Sequence, residues 1–191
     1  MHITTEQLFE NARTHHGWTG VPVADDTLRR LWDMIKWAPT SANGSPLRIL
    51  FVRSAEAKAK LAACMSASNV EKTRSAPVTA VLGMDMAFHD RLPELFPHVD
   101  ARSWYAGKPA LIEATALRNS SLQGGYFIVG ARALGLDCGP MSGFDAAKVD
   151  ALFWAGTTVR TNFICNLGHG DPAKLRPRGP RLSFEQACRI V

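Results

Sequence analysis

Three features of the 191-residue sequence predict a fold that mixes helices with a buried sheet. Residues 25–38 carry Leu28, Leu31, Trp32 and Ile35 at helical spacing. Three short apolar runs, 49–52, 77–84 and 161–167, have the length and composition of strands, and the first reads as an interior one. Residues 111–134 form one long apolar-sided stretch that only a helix accommodates.

In chain order, residues 4–13 predict a first helix capped by Thr4 or Thr5, with Leu8, Phe9 and Ala12 as its stripe. Asp25 or Asp26 caps the second, whose Trp32, with Trp37 beyond it, is assigned to the core. Pro39 stops it. Between that helix and the first strand stands Pro39-Thr40-Ser41-Ala42-Asn43-Gly44-Ser45-Pro46. Two prolines, small residues, hydroxyls and an amide suit a loop whose backbone approaches a flat ligand. Ser54 caps a third helix to about residue 65, with Leu61 inward. Residues 66–72 break the pattern, although Asn69 and Lys72 share one face if helical. A short helix at 88–95 and an irregular stretch at 96–109 precede the long helix. Leu117, Leu122, Tyr126, Val129 and Ala133 are assigned to its apolar side, and Gly124, Gly125 and Gly130 to a close approach by another helix or a ligand. Gly135 ends it, and residues 135–145 form a second small-residue loop closed by the Asp145 cap. A basic tail follows residue 171, then a short helix at 183–189.

A chain of this length reads as a single domain, residues 1–191, able to bury a core. Hydrophobic content of 46% with 20% charged residues fits a globular protein without a membrane span. The N-terminus lacks the pattern of a signal peptide, and four well-separated cysteines read as reduced thiols, so a cytoplasmic protein is expected. Cys138 and Cys165 are assigned to the core. The net charge of +5 suits an anionic small ligand. Nucleic-acid and membrane partners are not expected, because basic residues are not interleaved with aromatics. Metal-ligand spacing, a Walker A sequence, a dinucleotide-binding glycine pattern and a nucleophile elbow are all missing. The chain therefore points to chemistry carried by a bound cofactor.

The two loops and several other stretches resemble a known family. These are Ala12-Arg13-Thr14-His15, Pro39-Thr40-Ser41-Ala42-Asn43, Phe96-Pro97-His98, Asp100-Ala101-Arg102-Ser103-Trp104, Arg118-Asn119-Ser120-Ser121, Gly139-Pro140-Met141-Ser142-Gly143-Phe144-Asp145 and Pro180-Arg181-Leu182-Ser183-Phe184-Glu185. The chain resembles the FMN-dependent nitroreductase-like fold, and within it the malonic semialdehyde reductase (3-hydroxypropanoate dehydrogenase) group of pyrimidine utilisation. The resemblance implies an α+β fold with a mainly antiparallel central sheet, in an intertwined homodimer with FMN between the subunits. It implies an NAD(P)H oxidoreductase that passes hydride through flavin N5 in a ping-pong cycle. The alternatives are a nitroaromatic or quinone reductase and a non-catalytic flavin-binding protein. By the same resemblance Arg13, Thr14 and His15 contact the phosphate or the pyrimidine edge of the flavin. Pro39, Thr40, Ser41 and Asn43 reach it from the partner subunit, and Asn69 and Lys72 serve the ring's polar edge. Pro140, Met141, Ser142 and Gly143 line the ring near N5, and Arg178 and Arg181 close on the phosphate. Arg102 is the candidate for the substrate carboxylate, and no catalytic side chain is assigned. The chain departs from the wider family pattern at Gly17, where a basic residue is usual, and at Ser45-Pro46-Leu47, where Gln-Pro-Trp is common.

Overall fold

Four strands form one antiparallel sheet: β1 (Leu47–Val52), β2 (Val78–Asp85), β3 (Asp137–Met141) and β4 (Val159–Gly168). Their order is β1-β2-β4-β3, so an α+β fold is observed, with β1 at one edge rather than in the interior. The computed structural model describes residues 3–191. β3 lies where a loop is expected from the small residues 137–141; β4 recruits these as a ladder, Gly139 opposite Asn166 and Pro140 opposite Cys165. Pro140 tolerates the position because β3 is the other edge strand.

The helices are α1 (Asp25–Ile35), α2 (Ala55–Ala62), α3 (Ala67–Ser75), α4 (Leu92–Leu95), α5 (Pro109–Ala133), α6 (Ala146–Phe153) and α7 (Phe184–Ala187). Ser54 accepts from the Ala57 N–H and caps α2, and Asp145 accepts from the Lys148 N–H and caps α6, as expected. α1 is capped by Ala24 instead, which leaves Asp25 and Asp26 in the first turn, where their charge suits the helix dipole. The expected first helix shrinks to one π-helical turn, Glu6–Glu10, with no buried residue to pack it down.

α1 packs on α5 and buries Leu28, Leu31 and Ile35 in one core with Phe127 of α5 and Val78, Leu82 and Leu167 of the sheet. Trp32 and Trp37 are exposed, contrary to the core assignment: Trp32 faces outward across α1 and Trp37 follows its last turn. Cys138 and Cys165 are core residues, and burial pushes the Cys165 thiol well above its usual range, so it stays protonated and unreactive.

The apolar side of α5 faces away from the chain's own core. Its buried face carries Thr115, Asn119, Ser120, Gln123, Gly124 and Gly130 beside Phe127, while Leu111, Leu117, Leu122 and Tyr126 are exposed. Two of its glycines permit close packing. A Cβ on Gly124 would lie 2.5 Å from the Phe163 ring, and one on Gly130 would lie 2.6 Å from Ile35 Cγ2 and 3.0 Å from Leu31 Cδ1. Gly130→Ala gains helix propensity of about 1 kcal/mol but overpacks a buried helix contact at about 1–3 kcal/mol. Urea unfolding is therefore expected to show a net loss of about 1 kcal/mol. A stabilised variant would mean that α1 and α5 yield freely.

Candidate functional site

At the β3 end of the sheet, three backbone segments meet. Thr14 bridges to Cys138 in parallel, and the His15 N–H donates to the Cys138 carbonyl at 3.0 Å. This contact needs a glycine: a Cβ on Gly139 would lie 2.6 Å from the His15 carbonyl oxygen. On the other side the Gly143 carbonyl accepts from the Ser66 N–H at 3.0 Å, the Ser66 hydroxyl at 2.8 Å and the Asn69 amide at 3.1 Å. The 141–145 loop is thereby fastened to the start of α3. Lys72, one turn along, donates to Asn69 Oδ1 at 3.0 Å, so the expected shared face is real. One bond leaves two of the ammonium's three N–H groups uncommitted. Asn166 holds this helix to the sheet: its amide donates to the Lys72 carbonyl at 3.0 Å, and its carbonyl oxygen accepts from the Thr79 hydroxyl at 2.6 Å.

The tail brings further cations to the same place. Arg13 donates to the Arg176 carbonyl, and Arg178 donates to the carbonyls of Glu10 at 2.6 Å and Ala12 at 3.1 Å. The Lys174 stem lies over Gly17, where a Cβ would fall 2.1 Å from its Cδ. His16 stands among these groups. Burial first, then the charges of Lys72 and Arg176, hold its imidazole below the usual value. Among the described residues, Arg13, Lys72, Arg176 and Arg178 pair with no carboxylate. Four clustered cations without a counter-charge are suited to an anion.

Not every expected residue joins this cluster. His15 is buried, with Nε2 3.3 Å from Asp137 Oδ1, and Asp137 Oδ2 accepts from the Gly170 N–H at 2.8 Å. Its ring braces the 168–171 turn. Arg181 donates to the carbonyls of Gly179 and Pro180 in its own tail. Arg102 is spent on Asp90, with Nε at 2.9 Å and a terminal nitrogen at 2.7 Å.

The 39–46 loop lies at the opposite end of the sheet. It enters β1 at Leu47, opposite Met84, whereas Gly139 stands opposite Asn166 and Asn166 opposite Thr79. Five residue steps along β2, from Thr79 to Met84, separate the two ends, roughly 17 Å at strand rise. Pro39, Ser41 and Asn43 are exposed, and the Asn43 amide donates to the Leu95 carbonyl at 2.9 Å. Ala42, Asn43 and Ser45 have φ of 49°, 52° and 40°. Left-handed backbone at non-glycine residues costs about 1–2 kcal/mol each and concentrates at functional sites.

Sequence reasoning missed Asn119, Gln123, Asp137 and Asn166. Asn166 was the most accessible of these, as a lone amide inside the apolar Phe163-Ile164-Cys165-Asn166-Leu167 run.

A mixed sheet-and-helix scaffold with an anion-suited cluster at one end and a strained polar loop at the other has the parts of a small-molecule-binding fold. Residues 11–169 match the nitroreductase family, and the chain belongs to it. A Burkholderia lata protein named "Putative NADH dehydrogenase/NAD(P)H nitroreductase" is 63% identical over 97% of this chain and 95% of its own. A Ralstonia nicotianae protein with the same description is 60% identical over 97% and 95%. Among solved structures, a nitroreductase-type protein from Exiguobacterium sibiricum, described in complex with FMN, superposes with a TM-score of 0.90 at 20% identity. The match covers 100% of this chain and 99% of that one, and shows the shared fold.

Proposed function

We propose that the protein is an FMN-dependent NAD(P)H oxidoreductase that reduces malonic semialdehyde to 3-hydroxypropanoate. The observation that carries the flavin reading is the cluster of Arg13, Lys72, Arg176 and Arg178, open to an anion and free of carboxylates. The donors fit the group. Arginine forks suit a phosphate, and the Lys72 ammonium beside Asn69 suits the carbonyl-rich edge of a flavin ring. The small-residue stretch from Pro140 to Gly143 supplies backbone at close range, and Gly143 is essential to it: a Cβ there would lie 2.5 Å from Ser66 Oγ. Bound FMN supplies hydride transfer between a nicotinamide and the acceptor. The protein's share is to hold the phosphate, orient the ring and place a cation at its polar edge. NADH and NADPH both remain donors in this reading. The relatives' descriptions as NAD(P)H nitroreductases favour a second reading, in which nitroaromatics or quinones are the acceptors.

A homodimer belongs to the proposal. The two loops that resemblance assigns to one flavin sit at opposite ends of one chain's sheet, so one ligand can meet both only between two copies. The exposed face of α5 suits that contact, with a concavity of about 850 Å3 lined by Phe9, Leu122, Tyr126 and Val129. Gly125, on the same face, has no neighbouring atom within 4 Å of where its Cβ would be. Leu122→Glu with Tyr126→Glu is expected to give a monomer by light scattering and to release the flavin. A dimer that survives both changes puts the interface elsewhere.

The anion should also register on His16. FMN phosphate offsets the field of Lys72 and Arg176, so loading with FMN is expected to raise the His16 pKa in an NMR titration. In the unloaded protein the folded-state value lies below the unfolded one. His16 therefore takes up fewer protons when folded, and stability falls as pH drops from about 6.5 through the depressed value. A His16 pKa unmoved by FMN places the phosphate elsewhere.

The acceptor is tested by steady-state kinetics on the flavin-loaded enzyme. Malonic semialdehyde is expected to give a higher kcat/KM than nitroaromatics or quinones; Arg102, already paired with Asp90, is not counted among its contacts. Preference for nitroaromatics sinks the semialdehyde reading. Failure of NADH and NADPH to bleach the flavin anaerobically sinks the oxidoreductase reading and leaves a flavin-binding protein.

A further inference from the structure

The 39–46 loop has its glycine in the wrong place for its shape. Ala42, Asn43 and Ser45 are left-handed, while Gly44 has φ −69° and ψ −17°, which any residue adopts. Asn43 tolerates this backbone, but Ala42 and Ser45 do not favour it, so contacts from outside the loop are needed to hold them there. Two buried amides on α5 reach the loop. Asn119, 2% exposed, accepts from the Ser41 N–H at 2.9 Å. Its amide nitrogen donates to the Thr115 carbonyl at 2.8 Å, which leaves the carbonyl oxygen as the atom facing the loop. One turn on, Gln123, 1% exposed, accepts from the Leu47 N–H at 3.0 Å. Residues four apart stack on one helix face, so the pair grips both ends of the loop. Between these grips, Thr40 Oγ1 accepts from the Ser45 N–H at 3.1 Å.

We propose that Asn119 and Gln123 are positioning residues that impose the left-handed shape of the 39–46 loop and, through it, set the affinity for FMN. The proposal rests on the reading that this loop contacts the flavin. A buried polar side chain on a helix costs desolvation unless its bonds are made, and here the two acceptor oxygens are spent on the Ser41 N–H in the loop and the Leu47 N–H where the loop enters β1. With the acceptors removed, Ser41 and Leu47 lose their partners and the strained residues can relax to ordinary backbone.

The test measures FMN dissociation by flavin fluorescence on the full chain, with thermal unfolding recorded alongside. Asn119→Leu and Gln123→Met keep side-chain size and remove the acceptor, and each is expected to weaken FMN binding at least tenfold. Asn119→Asp gives a second signature. Its protonated carboxyl can donate to the Thr115 carbonyl and accept from the Ser41 N–H, whereas the ionised form loses the donor. FMN affinity relative to the parent protein at each pH is expected to improve from pH 8 to pH 5.5 for Asn119→Asp and to stay flat for Asn119→Leu. Unchanged affinity in the Leu and Met variants overturns the proposal, even where unfolding temperatures fall. If Asn119→Leu does not fold, Gln123→Met and Asn119→Asp decide the matter by the same readouts. Ser41→Trp separates the underlying reading: it places bulk on the exposed loop and keeps the N–H to Asn119. Tight FMN binding by that variant means the loop is no flavin contact, and the reading fails before the positioning does.

Discussion

Gly139→Ala is expected to destabilise the protein by about 3 kcal/mol, at the upper end of overpacking costs, because the colliding atom is backbone. The added methyl would sit 2.6 Å from the His15 carbonyl oxygen and 3.3 Å from the Trp18 ring. The His15 carbonyl cannot rotate away as a flexible side chain would, since the N–H of the same residue is bonded to Cys138 across the same seam. Relief requires the 13–16 segment to lift off β3, and Arg13 and His16 move with it. For a chain of this size the loss corresponds to roughly 10 °C in Tm. Calorimetry checks the stability, and FMN retention through desalting checks the site. A Tm within 2 °C of the parent would show that the Thr14–Cys138 seam is soft and does not position Arg13.

Arg13→Ala is expected to weaken FMN binding roughly a hundredfold, the scale of a charge-assisted hydrogen bond lost from a phosphate. The side chain also donates to the Arg176 carbonyl, so its removal takes away one of the ties on a tail that Arg178 still holds to Glu10 and Ala12. Arg13→Lys should recover part of the affinity, because a point charge remains and the fork does not. Equilibrium titration at low and high salt measures both, with the parent protein losing more affinity in salt than the alanine variant. Arg74→Ala, an exposed change on α3, serves as the control for net charge. Equal losses from Arg13→Ala and Arg74→Ala would reduce the role of Arg13 to background charge.

Much of the scaffold was legible in the chain. Leu28, Leu31 and Ile35 on α1, Leu61 on α2 and the caps at Ser54 and Asp145 follow from spacing and from side-chain oxygens beside helix starts. The Asn69–Lys72 pair followed from the three-residue interval. Other readings failed for identifiable reasons. Trp32 matched the helical template and yet lies outside the core, because hydrophobicity marks a residue as apolar without saying which neighbour covers it. On α5 the apolar side of Leu117, Leu122 and Tyr126 was legible, but not that it faces away from the chain's own core while the inward face is small and polar. The exposed strip of Leu111, Leu117, Leu122 and Tyr126 is what the proposed homodimer would cover. Residues 137–141 carry turn-like composition, and only pairing with β4 makes them a strand.

The sequence by itself determined the cores of α1, α2, α5 and α6, the caps at Ser54 and Asp145, and which loops carry ligand-like composition. These properties depend on neighbours a few residues away, whose preferences survive in the primary order. Only the tertiary structure decided that Arg13, His16, Lys72, Arg176 and Arg178 converge from segments as far apart as residues 13 and 178. It also decided that His15 turns inward to Asp137, and that the 39–46 loop stands at the far end of the sheet from that cluster. Such placements are fixed by strand order and by the register of β2 against β4, and by buried amides such as Asn119 and Gln123 that bond backbone some 80 residues away. Contacts of that separation leave no periodic trace in the chain, because what selects them is the pairing of surfaces that exist only once the sheet has formed.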